Sequence, residues 1–464
     1  MMNKRYLQII IFISLILIIP FIVVSFFNHP TIDDFWEIQL LKEYGFPNAI
    51  YQWSHNINGR FSANGILTII SLPFKKIWPF KLVPIVLIIL FYLAIFKIST
   101  LFFKNIFSSL EIKAFSILFS TCYFLNLPDI YQGLYWLSSS INYLLPIIYF
   151  IFILYWQEKY AQRLNLLAKL ILYINCFIAA GLNELMTLMW IGLLIACLLI
   201  DKLRKAPFNV SRITILAISL FAFLIQLFSN GNHNRVAMHD YNNSWGVVKS
   251  SLVAVEQTLY HLLKHSLSSP LWWFVGLFFF SLVLQHKEKI KSKYSYINRN
   301  IILLVTIFII GIFFLPAIID SNAERSLSAM RIINISFFVS LAGFLFLLFC
   351  IGLKLPVNIA QRKLFVYQKY LFVIAIIGAS LLLGSFKNIS TDLFNGHAAL
   401  YNKEAFERYK SIENCKDSIC GIQPYSVQPL SICPIKDDRI SLMRLAAVFG
   451  KERIYIITDS LKKQ

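Results

Sequence analysis

The sequence predicts an all-α polytopic membrane protein with about eleven transmembrane helices, followed by a small C-terminal α/β domain. Three observations support this prediction. Apolar residues make up 58% of the chain and charged residues 14%, whereas a soluble domain averages about 45–50% and about 25%. Apolar runs close to the length of a membrane-spanning helix recur along the chain. Basic residues gather at alternate junctions between these runs.

The basic junctions predict how the chain is oriented. The positive-inside rule places them in the cytoplasm, which puts the N-terminus inside and the C-terminal segment outside the membrane. The predicted spans are 7–27, 80–103, 113–127, 141–156, 166–180, 185–200, 212–228, 270–285, 300–318, 332–351 and 370–386. The apolar stretch 63–79 is interrupted by Pro73, Lys75 and Lys76. Two alternatives are open, a further short span or an interfacial helix, and we favour the interfacial helix because it keeps every later basic loop inside. The net charge of +20 therefore reflects topology, and no nucleic-acid partner is expected.

Two domains are predicted, a membrane domain at 1–386 with its first outer loop at 28–62, and an extracytoplasmic α/β domain at 387–464. The second has ordinary soluble composition. Its pattern predicts helices near 401–412 and 440–448 and a β-rich stretch at 453–458. Two of its three cysteines could pair in an oxidising compartment, but sequence does not decide which. They are Cys415, Cys420 and Cys433.

Two adjacent carboxylates, Asp33 and Asp34, follow the first span. A structural interpretation is available, because Thr31 can cap a helix with Asp34 as its capping-box partner, and both acids favour a helix N-terminus. Capping explains one acid, but it does not explain the polar, aromatic loop that continues to Arg60. We therefore treat Asp33 and Asp34 as candidate catalytic carboxylates beside a phosphate-binding cation.

Arginines are expected to gather at the outer face. Planar guanidinium groups bind phosphate oxygens bidentately, so such a cluster suits a phosphate or diphosphate group. A simple membrane-edge anchor is the alternative for Arg60. The candidate phosphate-binding residues are Arg60, Arg235, Arg325, Arg331 and His233.

Further polar and aromatic residues are predicted on the same side. Glu184 falls at a hairpin tip, where an ionisable residue at membrane depth indicates function or an arginine partner. Trp136 and Tyr143 suit stacking on a sugar ring, although an aromatic belt is the commoner explanation. With Asn58, these residues are candidates for acceptor binding or structural support. No metal-ligand spacing is present, and a requirement for a divalent cation is left open.

These motifs resemble the GT-C superfamily of integral-membrane glycosyltransferases. Within it, the chain resembles a group of bacterial multi-pass proteins whose first outer loop reads acidic pair, aromatic residue, then Asn-Gly-Arg. Here these are Asp33-Asp34-Phe35 and Asn58-Gly59-Arg60. The similarity extends loosely over most of the spans. It includes Trp136-Leu137-Ser138, Glu184, the segment Gly231-Asn232-x-x-Arg235, and Arg325 with Arg331, and it departs at Ser229-Asn230, where a proline is expected.

The resemblance implies a GT-C fold and an inverting transfer of sugar on the outer side of the membrane. The donor would be a polyprenyl-phosphate sugar, and the acceptor a glycan, glycolipid or protein. By analogy, an aspartate of the first outer loop is the general base and the arginines bind the donor phosphate. Two alternatives remain: a transporter or flippase of lipid-linked glycans, in which no carboxylate is chemically essential, and a polymerase of such glycans.

Overall fold

A computed structural model shows a helical protein. It describes residues 2–72, 77–160, 165–207, 209–234, 246–296, 298–324, 329–355, 375, 378, 384–432 and 439–457. Its helices are α1 (Lys4–Ser25), α2 (Ile32–Tyr44), α3 (Phe46–Asn56), α4 (Phe61–Ser71), α5 (Trp78–Phe103), α6 (Ser109–Leu125), α7 (Leu137–Tyr160), α8 (Leu166–Ala180), α9 (Glu184–Leu203), α10 (Val210–Leu227), α11 (Val247–Leu262), α12 (Pro270–Gln285), α13 (Lys287–Lys293), α14 (Arg299–Glu324), α15 (Met330–Lys354), α16 (Gly384–Phe394), α17 (His397–Asn414) and α18 (Arg439–Phe449). π-Helical turns lie at Tyr131–Tyr135 and Leu263–Leu267, and the strands are β1 (Ile419–Ile422) and β2 (Arg453–Ile456).

Seven helices in the described part of the chain are long and apolar enough to cross a membrane: α1, α5, α7, α9, α10, α14 and α15. An eighth span results if Val247–Ser266 and Pro270–Gln285, bent by 78° relative to each other, cross together. The prediction of a multi-pass helical membrane protein is confirmed, whereas the count of eleven stays a prediction. The helices at two predicted spans, α6 and α8, have only 17 and 15 residues, and the predicted span 370–386 lies mostly outside the described residues.

The long helices form a bundle with two chemically different ends. At the end where α1 finishes and α7 begins, Asn28 donates hydrogen bonds to the carbonyls of Phe80 and Tyr135. We call this the site end. At the opposite end, where α5 finishes and α14 begins, the hydroxyl of Tyr294 donates to the carbonyl of Phe102. This second end carries the lysines of α13, and we call it the basic end.

Three short helices, α2, α3 and α4, build the site end between α1 and α5. The predicted capping contact at the start of α2 is present, because Oδ2 of Asp34 accepts the backbone N–H of Thr31 at 3.0 Å. Gly45, with φ of +73°, lets the chain turn directly from α2 into α3. α3 lies within the predicted first outer loop, and α4 occupies the first part of the 63–79 stretch.

The C-terminal segment forms a small α/β unit against the site end. β1 pairs in parallel with β2, with Ile419 opposite Arg453, and α18 forms the connection between them. Gly450, with φ of +68°, follows the end of α18. The two helices and the β-rich stretch predicted from sequence correspond to α17, α18 and β2. Cys415 and Cys420 form a disulfide, and Cys433 lies outside the described residues.

Candidate functional site

The two aspartates at the start of α2 have different surroundings. Asp34 is buried, with 2% of its surface exposed. Its Oδ1 accepts the backbone N–H of Ser138 at 3.0 Å, and its Oδ2 accepts that of Thr31. Asp34 therefore joins the N-terminus of α2 to the N-terminus of α7, and its carboxylate lies beneath the surface that its neighbour lines.

Burial raises the pKa of Asp34 to about 7 from its ordinary 3.8. The N–H donors of Thr31 and Ser138 favour the charged form and oppose this shift, while the nearby charge of Asp33 adds to it. Burial has the largest effect of these. The group consequently titrates near neutral pH although it makes good hydrogen bonds.

A third carboxylate on the same helix, Glu37, was not singled out from the sequence. It is 1% exposed, and neither carboxylate oxygen has a hydrogen-bond partner among the described residues. Burial raises its pKa well above the usual value, and the charges of Asp34 and Asp33 raise it further. Its position three and four residues after the aspartates places it on their face of the helix, which is the sequence signal that could have found it.

Asp33 points toward the C-terminal segment. Its Oδ1 accepts a hydrogen bond from Nη1 of Arg444 at 2.6 Å. The Arg444 guanidinium also lies 4.4 Å from the ring centre of Trp36. No local pattern in the sequence identifies Arg444, because its partners come from a helix at the other end of the chain.

Arg60 forms a buried ion pair with Glu184. Its Nε and Nη2 donate to the two oxygens of Glu184, each at 2.7 Å. Nη1 donates to Oδ1 of Asn142 and Nη2 to the hydroxyl of Tyr143. Burial lowers the pKa of Arg60, but Glu184 and Tyr143 more than offset this effect, so the net shift is upward. The structural role considered for Glu184, as an arginine partner, is what the geometry shows.

Glycines bring the loops around Arg60 into close contact. A Cβ on Gly59 would lie 2.3 Å from Oγ of Ser229, and one on Gly231 would lie 2.5 Å from the backbone nitrogen of Asn58. The N–H of Gly59 donates to Oδ1 of Asn232 at 3.2 Å. The Asn-Gly-Arg and Gly-Asn motifs are therefore packed directly against each other, which holds the backbone on the N-terminal side of Arg60.

Arg331, at the start of α15, lies beside two aromatic rings. Its guanidinium carbon is 5.7 Å from the ring centre of Trp136 and 5.5 Å from that of Tyr143. Arg60 approaches the same tyrosine ring, also at 5.5 Å. Among the described residues no carboxylate forms an ion pair with Arg331, and its buried Nε has no hydrogen-bond partner there.

A cavity of about 460 Å³ gathers most of these groups at the site end. Its lining consists of Ile32, Asp33, Trp36, Trp53, Asn56, Ile57, Asn58, Arg60, Trp136, Ser138, Ser139, Asn142, Tyr143 and Arg331. Six residues predicted from sequence thus share one cavity: Asp33, Asn58, Arg60, Trp136, Tyr143 and Arg331. Asn142 also lines the cavity, and it was not predicted from the sequence although it lies in the same helix one residue before Tyr143.

The remaining predicted site residues do not line this cavity. Asp34 is buried and bonded to the backbone of Ser138, which lines the cavity, and Glu184 pairs with Arg60, which also lines it. His233 is exposed and is not part of this lining, and its role as a phosphate ligand stays a prediction. Arg235 and Arg325 lie outside the described residues.

Two further observations concern cofactors and relatives. In the ranges that the structure describes, no group of three or more His, Cys, Asp or Glu side chains is arranged to hold a metal ion. Comparison with family models, with curated proteins and with solved structures gave no match to this chain.

Proposed function

We propose that this chain is an inverting glycosyltransferase that moves a sugar from a polyprenyl-phosphate donor to an acceptor hydroxyl on the outer face of a bacterial cytoplasmic membrane. The observation that carries the proposal is the single cavity that brings Asp33 together with Arg60 and Arg331. An inverting displacement needs a carboxylate at the acceptor and positive charge where the phosphate departs. Both are present, with tryptophans that can stack on a sugar.

In the proposed reaction, Asp33 accepts the proton of the acceptor hydroxyl. The acceptor oxygen forms a bond to the anomeric carbon of the sugar as the bond from that carbon to the phosphate oxygen breaks. The electron pair leaves with the lipid phosphate. Asp33 is favoured over Asp34 because it lines the cavity and its hydrogen bond from Arg444 engages only Oδ1, whereas both oxygens of Asp34 accept backbone N–H groups.

Arg331 is the favoured ligand for the departing phosphate. The guanidinium of Arg60 already donates hydrogen bonds to Glu184, Asn142 and Tyr143, and the carboxylate neutralises its charge. Among the described residues Arg331 forms no ion pair of this kind, although Asp320 lies near enough to interact with it electrostatically, and its side chain is held by the rings of Trp136 and Tyr143. We therefore assign Arg60 to shaping the cavity and Arg331 to binding phosphate.

The proposed location rests on two features. The Cys415–Cys420 disulfide is typical of an oxidising compartment, and the lysine-rich loops lie at the opposite end of the bundle, as expected for the cytoplasmic side. The proposed partners are the lipid-linked donor, a glycan, glycolipid or protein acceptor, and membrane lipid.

The test uses the full chain purified in detergent and a panel of radiolabelled polyprenyl-phosphate hexoses, with and without EDTA. Release of polyprenyl phosphate and transfer of label to a glycan acceptor are both measured. Asp33→Asn is expected to lower turnover about 100-fold or more, and Arg331→Gln to weaken donor use strongly. The control is Asp417→Asn, an exposed aspartate of the C-terminal segment.

Full turnover in Asp33→Asn would remove the general-base role. Failure of the wild-type chain to consume any donor, combined with movement of a lipid-linked glycan across proteoliposomes that Asp33→Asn leaves unchanged, would favour the transporter instead.

A further inference from the structure

A second cavity lies in the half of the bundle nearest the basic end. Its volume is about 480 Å³, within the range of small-molecule sites. The lining comes from α5, α6, α7, α9, α12, α14 and α15 and is almost wholly apolar, with phenylalanines such as Phe103, Phe119 and Phe279. Soluble polar molecules would find few hydrogen-bond partners on such walls, so the interior suits a hydrocarbon chain.

Two tyrosines, Tyr294 and Tyr296, give this cavity an amphipathic mouth. The ammonium of Lys293 lies 5.4 Å from the ring centre of Tyr294, and the guanidinium of Arg204 lies 3.6 Å from that of Tyr296. The mouth is held in place by hydrogen bonds from Lys293 and Tyr294 to the carbonyl of Phe102. Each of these two tyrosines therefore has a cation packed against its ring, beside the opening of the cavity.

The cations around this mouth outnumber the nearest acids, because Glu158 and Asp201 stand against three basic side chains, Arg204, Lys293 and Arg212. Glu158 and Asp201 both pair with the buried Arg212. Within the described ranges, neither Arg204 nor Lys293 forms an ion pair with a carboxylate. An apolar interior behind an opening of net positive charge is complementary to an anionic lipid.

We infer that this cavity binds an anionic membrane phospholipid from the adjacent leaflet. One acyl chain occupies the space between Phe103, Phe119 and Leu345, and the phosphate lies against Arg204 and Lys293. The site is separate from the cavity at Asp33, because the two lie at opposite ends of the bundle. The inference therefore does not depend on the proposed glycosyltransferase activity.

The experiment measures the melting temperature of the full chain in detergent as lipid is added. Dioleoyl phosphatidylglycerol should raise the melting temperature in a saturable way, since a ligand of the folded state stabilises it by mass action. Dioleoyl phosphatidylcholine, with the same chains and no net charge, should have a much smaller effect. Equal effects of the two lipids would overturn the assignment of the phosphate to Arg204 and Lys293.

Two kinds of variant test the two parts of the site. Ala342→Phe and Val305→Phe, each of which fills the cavity, should weaken the apparent affinity for phosphatidylglycerol by about tenfold or more. The paired change Arg204→Gln with Lys293→Gln should remove the preference for phosphatidylglycerol over phosphatidylcholine. The matched controls are Ile307→Phe, on an exposed face of α14 outside the lining, and Lys289→Gln, an exposed lysine of α13.

A filling variant is compared with wild type only if its melting temperature in the absence of lipid is that of wild type, which excludes effects of poor folding. Two such variants are made so that the test does not depend on one of them. Wild-type affinity in both would overturn the inference. A polyprenyl phosphate that stabilises the chain more strongly than phosphatidylglycerol would also overturn it, because the occupant would then be a different lipid.

Discussion

Arg444 donates a 2.6 Å hydrogen bond to Asp33 across a sequence separation of 411 residues. The same guanidinium packs on Trp36, so α18 is joined to α2 at the rim of the site cavity. Additional contacts join the C-terminal segment to the first loop, including a hydrogen bond between the ring of His29 and Asn402. The C-terminal segment is therefore docked against the rim of the candidate site, although none of its described residues lines the cavity.

The strength of the Asp33–Arg444 pair can be measured in a double-mutant cycle of Asp33→Asn and Arg444→Gln. Both side chains are partly exposed, so solvent screens the pair, and we expect a coupling free energy of about 0.5–1 kcal/mol in thermal unfolding. Limited proteolysis should cut the C-terminal segment faster in Arg444→Gln. The control is Lys403→Gln, which removes an exposed ion pair in which Nζ of Lys403 lies 3.9 Å from Oε1 of Glu407. Additive single effects with unchanged proteolysis would contradict the proposed docking role.

Asp34 should make stability depend on pH near neutrality. Because its folded pKa is about 7 and its ordinary value 3.8, the folded chain holds a proton that the unfolded chain has lost in this interval. The stabilisation is fully present below the ordinary pKa and is lost as pH rises through about 7. The melting temperature of wild type should thus fall between about pH 5 and 8 more steeply than that of Asp34→Asn. Parallel curves would show that Asp34 does not titrate there, and Asp417→Asn serves as the exposed control.

Glu184→Gln should destabilise the chain strongly. The substitution leaves the guanidinium of Arg60 buried without its bidentate carboxylate, and breaking such a pair costs about 3–5 kcal/mol. The loss of stability should be smaller than this here, because the Glu184 side chain is 27% exposed and solvent screens the pair. Arg60→Lys should also destabilise, since an ammonium cannot make the two parallel bonds. Melting temperatures report both effects, with Glu288→Gln, on the exposed basic-end helix α13, as the reference.

Gly59→Ala should lower the melting temperature clearly. The new methyl group would lie 2.6 Å from the carbonyl oxygen of Gln226 as well as against Ser229, and overpacking of this kind costs about 1–3 kcal/mol. Gly231→Ala should behave similarly because its neighbours are also backbone atoms. Gly311→Ala is the matched control, since a methyl group added at that position would have no neighbour within 4 Å among the described residues. Equal effects of the three changes would argue against close packing of the two motifs.

Glu37→Leu should stabilise the chain. A buried carboxyl group without a hydrogen-bond partner is unfavourable, and an apolar side chain of similar size removes a penalty of about 1–3 kcal/mol. The expected result is a higher melting temperature, measured beside Glu43→Leu on the exposed part of α2. A lower melting temperature would show that Glu37 has a stabilising partner.

Features that depend on nearby residues could be predicted from sequence. The long apolar helices, the capping contact between Thr31 and Asp34, and the helices of the C-terminal segment all follow from local composition, periodicity and capping residues. The alternation of basic and neutral loops also predicts that Asp33, Arg60 and Arg331 lie at the same end of the bundle.

The sequence by itself determined that this is a multi-pass helical protein, and it indicated which polar residues gather at one end. Only the tertiary structure decided which of those residues line the cavity and which partners each of them has. It placed Asp33 in the cavity lining, buried Asp34, neutralised Arg60 with Glu184, and brought Arg444 to the rim. The physical reason is that these contacts join helices distant in sequence, so their geometry depends on how the whole bundle packs rather than on any local pattern.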